Sequence, residues 1–214
     1  MLAGFTIYGN KVGNFVIQVD LNDNVRLSLS QKEDLSDASS RIVTSGINDQ
    51  MDATYDFIPN DIAAGIGLKN DTKNRRYVAF SFYLLNNSSR AIDYRASIDI
   101  IDMVGDPLSV LRVMVIVDDQ DKSAGTIYAV PETEEGAAIM NANFENEGFT
   151  KYTTQDIVAV DGEFKEVMHI DVKDFAKGGQ TKYTIVMWLE GNDPQCTNDR
   201  FGDRIKMEMN FRGF

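Results

Sequence analysis

Residues 183–214 read YTIVMWLEGNDPQCTNDRFGDRIKMEMNFRGF, two strand-like segments separated by a polar loop. The first segment is apolar and carries the only tryptophan, Trp188. In the second, RIKMEMNF at residues 204–211, apolar and polar residues alternate with a period of two, which predicts a half-buried strand. The loop between them is too long and too polar for a tight hairpin turn, and it holds the only cysteine, Cys196. Such a loop either covers one end of a β-structure or has a function of its own.

Further strand patterns fill most of the remaining chain. The strongest is YVAFSFYLL at residues 77–85, followed by residues 92–103 and 108–117, with Asn-Asn-Ser-Ser and Gly-Asp-Pro between them. Closely spaced strands joined by turn residues predict antiparallel pairing rather than βαβ units. An Asp-Gly pair at residues 161–162 predicts a hairpin with a type I′ turn.

Two segments depart from this pattern. PETEEGAAIMNA at residues 131–142 is predicted to form a short helix, because proline suits the first helical position and acidic residues suit the positive end. Residues 31–76 are polar and show no clear period beyond short pieces near residues 55–58 and 62–68, which predicts a surface excursion or a partly mobile insertion.

Together these patterns predict an all-β chain: an antiparallel β-sandwich, jelly-roll or immunoglobulin-like, with at most one or two short helices. We expect residues 1–214 to form a single domain with a polar excursion at about 31–76, since all-β domains of this size are common.

Composition narrows the range of partners. The net charge of −12 argues against a nucleic-acid partner, because phosphate binding needs a basic surface. No run of 18 apolar residues occurs, so we predict no transmembrane segment. A single cysteine and a single histidine exclude an intramolecular disulfide and a zinc site built from Cys and His.

Catalytic residues are not evident. His169 lies in a strand pattern without an accompanying nucleophile motif, which favours a surface histidine. Cys196 has acidic neighbours, which raise a thiol pKa, and this favours an inert side chain. A phosphate-binding glycine loop and a paired-histidine metal motif are both missing from the sequence. We therefore predict a protein that is not an enzyme.

Calcium is the one cofactor that the sequence admits, since clustered carboxylates on loops are its typical ligands. The two candidate clusters are Asp118, Asp119 and Asp121, and Asp193, Asp199 and Asp203 together with Asn198. Neither has the spacing of the helix-loop-helix calcium motif. Solvated acidic turns are the alternative interpretation of the same residues.

The N-terminal segment FTIYGNKVGNFVIQV, residues 5–19, is apolar and prone to form strands. An exposed strand of this kind recruits a partner. It either closes the sandwich of its own chain or acts as a donor strand for a neighbouring molecule, and the sequence leaves both open. The residues expected to make this contact are Phe5, Ile7, Phe15, Ile17 and Val19.

One family resemblance comes from YVAFSFYLLNNSSRAIDYRASIDI at residues 77–100, WLEGNDPQCTND at residues 188–199, and the N-terminal strand pair. These features resemble the secreted TasA/camelysin-like proteins of Gram-positive bacteria. The resemblance implies a jelly-roll-like sandwich, export by a dedicated signal peptidase and a role in surface or biofilm-matrix fibres. The metalloprotease activity described for camelysin does not carry over, because this chain lacks a His-Glu-x-x-His motif.

We therefore expect an extracellular or cell-surface structural protein that self-associates, as a subunit of a bacterial surface or biofilm-matrix fibre joined by strand pairing. One alternative is a calcium-assisted carbohydrate- or surface-binding module with Tyr83, Tyr94 and Trp188 in its platform, although a core position suits Trp188 better. Another is a phage or virion structural jelly roll. Residues 1–4, MLAG, fit either a native start or the remainder of a removed signal segment.

Overall fold

The computed structural model describes residues 5–8, 15–20, 25–44, 47–70, 75–130, 153–200 and 202–214. These residues form two β-sheets and four single turns of 3-10 helix, which confirms the predicted all-β sandwich. The strands are β1 (Phe5–Tyr8), β2 (Val16–Val19), β3 (Leu27–Ser30), β4 (Arg41–Val43), β5 (Ile47–Gln50), β6 (Asp52–Ala53), β7 (Gly67–Asn70), β8 (Tyr77–Asn86), β9 (Ile92–Val104), β10 (Leu111–Val117), β11 (Thr126–Ala129), β12 (Thr153–Asp156), β13 (Glu166–Phe175), β14 (Gln180–Glu190) and β15 (Arg204–Gly213). The 3-10 turns are Tyr55–Phe57, Pro107–Ser109, Lys122–Ala124 and Asn198–Arg200.

The seven-stranded sheet is built around β15, the closing strand recognised in the sequence. Its order is β13-β9-β15-β1-β5. Strand β2 also pairs with β15, and β4 pairs with β2. One side of β15 pairs with β9 along the whole strand. The other side pairs with β1 at residues 204–206 and with β2 at residues 208–211. The two ends of the described chain therefore meet in the middle of one sheet.

The eight-stranded sheet has the order β12-β11-β10-β14-β8-β3, with β7 also on β8 and β6 also on β14. Its long central pairs, β10 with β14 and β14 with β8, are antiparallel. The pairing that the turn signals predicted between consecutive strands is wrong, because β8 and β10 lie in this sheet whereas β9 lies in the other one. Four ladders in the two sheets are parallel. In the seven-stranded sheet these are β1 with β15 and β2 with β15, and in the eight-stranded sheet they are β11 with β12 and β6 with β14. Parallel neighbours need a long connection instead of a tight turn, so short-range turn signals do not predict them.

The main core lies between the two sheets. On β15 the predicted alternation is confirmed, because Ile205, Met207, Met209 and Phe211 are all fully buried in this core. The Tyr94 and Tyr183 hydroxyl groups meet across it at 2.8 Å, so each polar tip has a partner inside an apolar layer.

The polar excursion at residues 31–76 divides between the two sheets: β4 and β5 belong to the seven-stranded sheet, whereas residues 53–63 fold over the outer face of the eight-stranded sheet. It contributes β4 to β7, and its buried residues form a second core with residues of β8, β10, β11 and β14. The excursion residues in this second core are Ala53, Tyr55, Ile58, Ile62 and Ala63. The sequence does not show them as one periodic element, because turns and very short elements, rather than a long helix or strand, set their spacing. The described part of the excursion is therefore ordered surface structure.

Lysine side chains bind the backbone of this excursion. Lys122 Nζ donates to the carbonyl oxygens of Tyr55 and Ile58 at 3.1 and 2.7 Å. Lys69 and Lys182 donate in the same way to the carbonyls of Ile62 and Ala63. Charge-assisted bonds of this kind supply the backbone partners that a loop lacks. They join the excursion to the sheet below it.

Two smaller predictions have different outcomes. The Asp-Gly turn is confirmed, because Asp161 and Gly162 both have positive φ, at 53° and 79°, and Val160 and Glu163 exchange two backbone hydrogen bonds. The predicted hairpin is wrong beyond this one bridge, since β12 and β13 pair in different sheets. The helix predicted at residues 131–142 lies outside the described residues. In the described part of the chain, no helix is long and apolar enough to cross a membrane.

Candidate functional site

The N-terminal segment occupies a central position in the seven-stranded sheet. Strand β1, which contains Phe5 and Ile7, lies between β15 and β5, and Ile7 is in register with Ile205. Strand β2 lies between β15 and β4. In the described chain, β1 and β2 therefore pair within their own molecule. This is the arrangement in which the N-terminal segment closes the sandwich of its own chain.

Strand β2 is anchored on both of its faces. Phe15, Ile17 and Val19 point into the main core, where the Phe15 ring stacks on Phe80 at 5.5 Å between ring centroids. On the outer face, Gln18 Nε2 donates to Asn210 Oδ1 at 2.9 Å. These contacts make β2 a fixed part of the sandwich.

A buried polar cluster lies where β10 and β14 reach the loop at residues 191–203. Arg112 on β10 is in register with Trp188 on β14, and both side chains are fully buried. Arg112 Nη2 donates to Asp193 Oδ2 at 2.8 Å, and Nη1 donates to the carbonyls of Ser109 and Leu111. The guanidinium thus joins the loop to the sheet.

Glu190 completes this cluster from the end of β14. Its Oε2 accepts the Trp188 indole N–H at 3.0 Å, and its Oε1 accepts the Asn192 backbone N–H at 3.2 Å. Burial raises the pKa of the Glu190 carboxyl, and the neighbouring Asp193 adds to this, while both hydrogen bonds and Arg112 act in the opposite direction. We refer to Arg112, Trp188, Glu190 and Asp193 as the Arg112 cluster.

Cys196 is half-buried at the edge of this cluster, and its backbone N–H donates to the Asp193 carbonyl at 2.9 Å. Burial raises the pKa of its thiol to about 11, with further contributions from Asp52, Asp193 and Glu190. At neutral pH the thiol is therefore protonated, and a protonated thiol is a poor nucleophile.

The first predicted calcium cluster binds loop backbone. Asp118 Oδ1 accepts the Lys182 N–H at 2.6 Å, and Asp119 Oδ1 accepts the N–H groups of Gln120 and Asp121. Asp121 Oδ1 accepts the Ser123 N–H at 2.7 Å, and this bond lowers the pKa of the Asp121 carboxyl. These carboxylates act as turn caps in the structure.

The second predicted calcium cluster does not converge on one point. Asp193 is buried against Arg112, Asp203 accepts the Asp106 N–H at 3.2 Å, and Asp199 is exposed in a 3-10 turn. Among the residues that the structure describes, no three Asp, Glu, His or Cys side chains are arranged to hold a metal ion. Calcium binding stays a prediction from sequence.

His169 lies on the solvent face of β13, where its Nδ1 is 2.6 Å from Glu166 Oε1. The two residues form a half-exposed ion pair when the imidazole is charged. This position agrees with the surface histidine predicted from the sequence.

The aromatic platform proposed for a binding module is wrong for Tyr94, and Trp188 takes the core position that was expected to suit it better. Tyr94 and Trp188 are fully buried, the first in the main core and the second under the excursion, and Tyr83 is half-buried. Stacking of a sugar needs an exposed aromatic face.

Sequence reasoning missed the role of Asn86, which is fully buried at the end of β8. Its Nδ2 donates to the carbonyls of Arg90, Phe175 and Ala176, and its Oδ1 accepts the Ser88 N–H at 2.9 Å. The side chain thus ties two turns together. Its one signal in the sequence was the Asn-Asn-Ser-Ser turn that ends the strand.

We expect Asn86→Ala to lower the free energy of unfolding by about 1–3 kcal/mol, because it leaves buried carbonyl groups without a donor. Urea denaturation followed by circular dichroism measures the change. The matched control is Asn87→Ala, since Asn87 is the exposed neighbour and its loss should change stability by less than about 0.5 kcal/mol. Equal effects of both substitutions would contradict the assigned role of Asn86.

Comparison with known proteins returned no match to a protein-family model, to a curated protein or to a solved structure.

Proposed function

We propose that this protein is a non-enzymatic structural subunit of an extracellular or cell-surface fibre, which assembles by exchange of its N-terminal β-strand. The observation that supports this proposal is the position of β1. A strand at the beginning of the described chain fills a slot inside a sheet, between residues 204–206 of β15 and residues 47–50 of β5.

Such a slot favours exchange between identical chains. Without β1, the facing edges of β15 and β5 present unpaired N–H and C=O groups, which a strand from another molecule satisfies equally well. Exchange of an identical element replaces each native contact with the same contact from a neighbour, so it changes the free energy little. Passing the strand in one direction from chain to chain produces a filament.

The anchoring of β2 supports the same proposal. Because Phe15, Ile17 and Val19 stay in the main core, the sandwich keeps its own apolar layer when β1 leaves the slot. The proposed relation to TasA/camelysin-like proteins agrees with a fibre, and it adds secretion to the cell surface or biofilm matrix as the proposed location.

The test compares the full chain with a variant lacking residues 1–14, using light scattering and negative-stain electron microscopy. We expect filaments from the full chain, and a folded monomer from the variant that binds a synthetic peptide of residues 1–14. The matched control is the same peptide with Ile7→Pro, since proline removes a ladder N–H and should weaken binding.

A full chain that stays monomeric over a wide concentration range would contradict the proposal, and so would a truncated variant that forms the same filaments. A melting temperature that rises with calcium and returns to its starting value on chelation would instead favour the calcium-assisted binding module.

A further inference from the structure

The buried charges of the Arg112 cluster do not balance. Among the described residues, two carboxyl groups, those of Glu190 and Asp193, share the site with one guanidinium, and none of the three side chains is more than 2% exposed. Arg112 forms its ion pair with Asp193 at 2.8 Å. Within the described part of the chain, no salt bridge involves Glu190. A buried carboxyl group without a cation of its own keeps its proton more readily than one in water.

We propose that Glu190 keeps its proton in the folded protein at pH values where an exposed glutamate has lost it, and that its ionisation releases the loop at residues 191–203 from the sheet. The protein would thus carry a proton-linked latch at one end of its sandwich, a property independent of how it assembles.

The charged and titratable groups around Glu190 come from three elements. Arg112 lies on β10 and favours the ionised carboxylate. Asp193 and Cys196 lie in the loop, where Asp193 opposes ionisation of Glu190 and the Cys196 thiol is neutral at these pH values. Asp52 on β6 lies beside Gly191 and adds a further negative charge. Burial, with a smaller contribution from Asp193, outweighs Arg112 and the two hydrogen bonds, so the pKa of Glu190 is raised.

The loop is the element that moves when Glu190 ionises. Glu190 and Arg112 belong to paired strands, whereas Asp193 belongs to a turn held by the Asp193 N–H to Glu190 carbonyl bond and the Asn192 N–H to Glu190 Oε1 bond. Two adjacent carboxylates sharing one guanidinium repel each other. Movement of Asp193 toward water relieves that repulsion without breaking a β-ladder.

The sign of the pH dependence follows from the raised pKa. Below the ordinary glutamate value of 4.5, Glu190 is protonated in both the folded and the unfolded chain, so it does not affect the free energy of unfolding. As the pH rises from 4.5 to the higher pKa that Glu190 has in the folded protein, the unfolded chain loses the proton first and the free energy of unfolding falls. Above that higher pKa, Glu190 is ionised in both states and the free energy of unfolding falls no further on its account.

The experiment observes Glu190 through Trp188, the only tryptophan, whose indole N–H donates to the Glu190 carboxyl. A ¹H–¹⁵N spectrum therefore contains one indole peak, which is followed from pH 4 to pH 9. We expect this peak to titrate above pH 4.5, the ordinary value of the group. Over the same range, hydrogen-exchange protection of the Gln195 and Cys196 amides should fall by about tenfold for each unit by which the pKa is raised, after correction for intrinsic exchange.

Three variants make the result specific. Glu190→Gln should abolish both transitions, and Glu163→Gln, which removes an exposed carboxylate of the same type, should leave them unchanged. Asp193→Asn should shift the Trp188 transition to lower pH, because it frees Arg112 for Glu190 and removes a like charge. This third variant and the titration of the unaltered protein decide the question if Glu190→Gln does not fold.

Titration of the Trp188 peak at or below pH 4.5, or its persistence in Glu190→Gln, would overturn the assignment to a protonated Glu190. An amide protection that stays constant through the transition would overturn the latch. Neither outcome depends on filament formation, so the latch and the proposed fibre function can fail separately.

Discussion

Replacing Arg112 with methionine is expected to lower the free energy of unfolding by about 3–5 kcal/mol, because it leaves the buried Asp193 carboxylate without its partner. The substitution also removes the donor to the carbonyls of Ser109 and Leu111. A loss of this size is a large part of the total stability of a domain, which is about 5–15 kcal/mol. Urea denaturation followed by circular dichroism measures it.

Two controls separate the buried charge from the lost side chain. Arg95→Met removes a guanidinium that pairs with Asp171 at 2.7 Å on the exposed face of the sheet, and it should have little effect because water screens that pair. The double variant Arg112→Met, Asp193→Leu should recover much of the stability, since no charge is then left unpaired. A double variant as unstable as Arg112→Met would contradict the electrostatic explanation.

Trp188→Ala should be equally damaging, lowering the free energy of unfolding by about 3–5 kcal/mol. Trp188 is fully buried and packs under the excursion, where its ring centroid is 6.5 Å from that of Tyr55. The alanine variant leaves a cavity in the second core and removes the N–H donor to Glu190. Because the variant has no tryptophan, circular dichroism rather than fluorescence follows its unfolding.

Trp188→Phe divides this effect into its two causes. Phenylalanine keeps much of the apolar volume but has no N–H, so we expect an intermediate loss of about 1–3 kcal/mol from the unpaired Glu190 oxygen and the reduced packing. Val158→Ala is the control for an exposed apolar residue, and it should change stability by less than about 0.5 kcal/mol. A small effect of Trp188→Ala would show that the excursion contributes little to the stability of the sheet.

Several elements were predictable because their signals are local. The alternation at residues 204–211 identified β15 and its buried face, and the Asp-Gly pair identified a tight turn whose two central residues have positive φ. The run at residues 77–85 predicted β8, which ends one residue later at Asn86. In each case neighbouring residues carry the whole pattern, since strand period and turn conformation depend on sequence over a few positions.

The excursion and the candidate site were not predictable in this way. Ile58 and Ile62 look like isolated apolar residues in a polar segment, and their burial depends on β10, β11 and β14 lying beneath them. Asp118 and Asp193, two of the predicted calcium ligands, accept hydrogen bonds from Lys182 and Arg112, which lie 64 and 81 residues away in the chain, so the sequence does not reveal these contacts. Trp188 was expected in a core, but the second core that encloses it was not foreseen.

The sequence by itself determined the all-β class, the inward face of β15, and several turns between strands, because period and turn residues act between near neighbours. Tertiary structure alone decided that β1 and β2 run parallel to β15, and that part of the excursion covers one sheet. It also brought Arg112 to within 2.8 Å of Asp193, 81 residues further along the chain. Such pairings depend on long-range packing of apolar surface, which has no period along the sequence, so they exist only once the chain has folded.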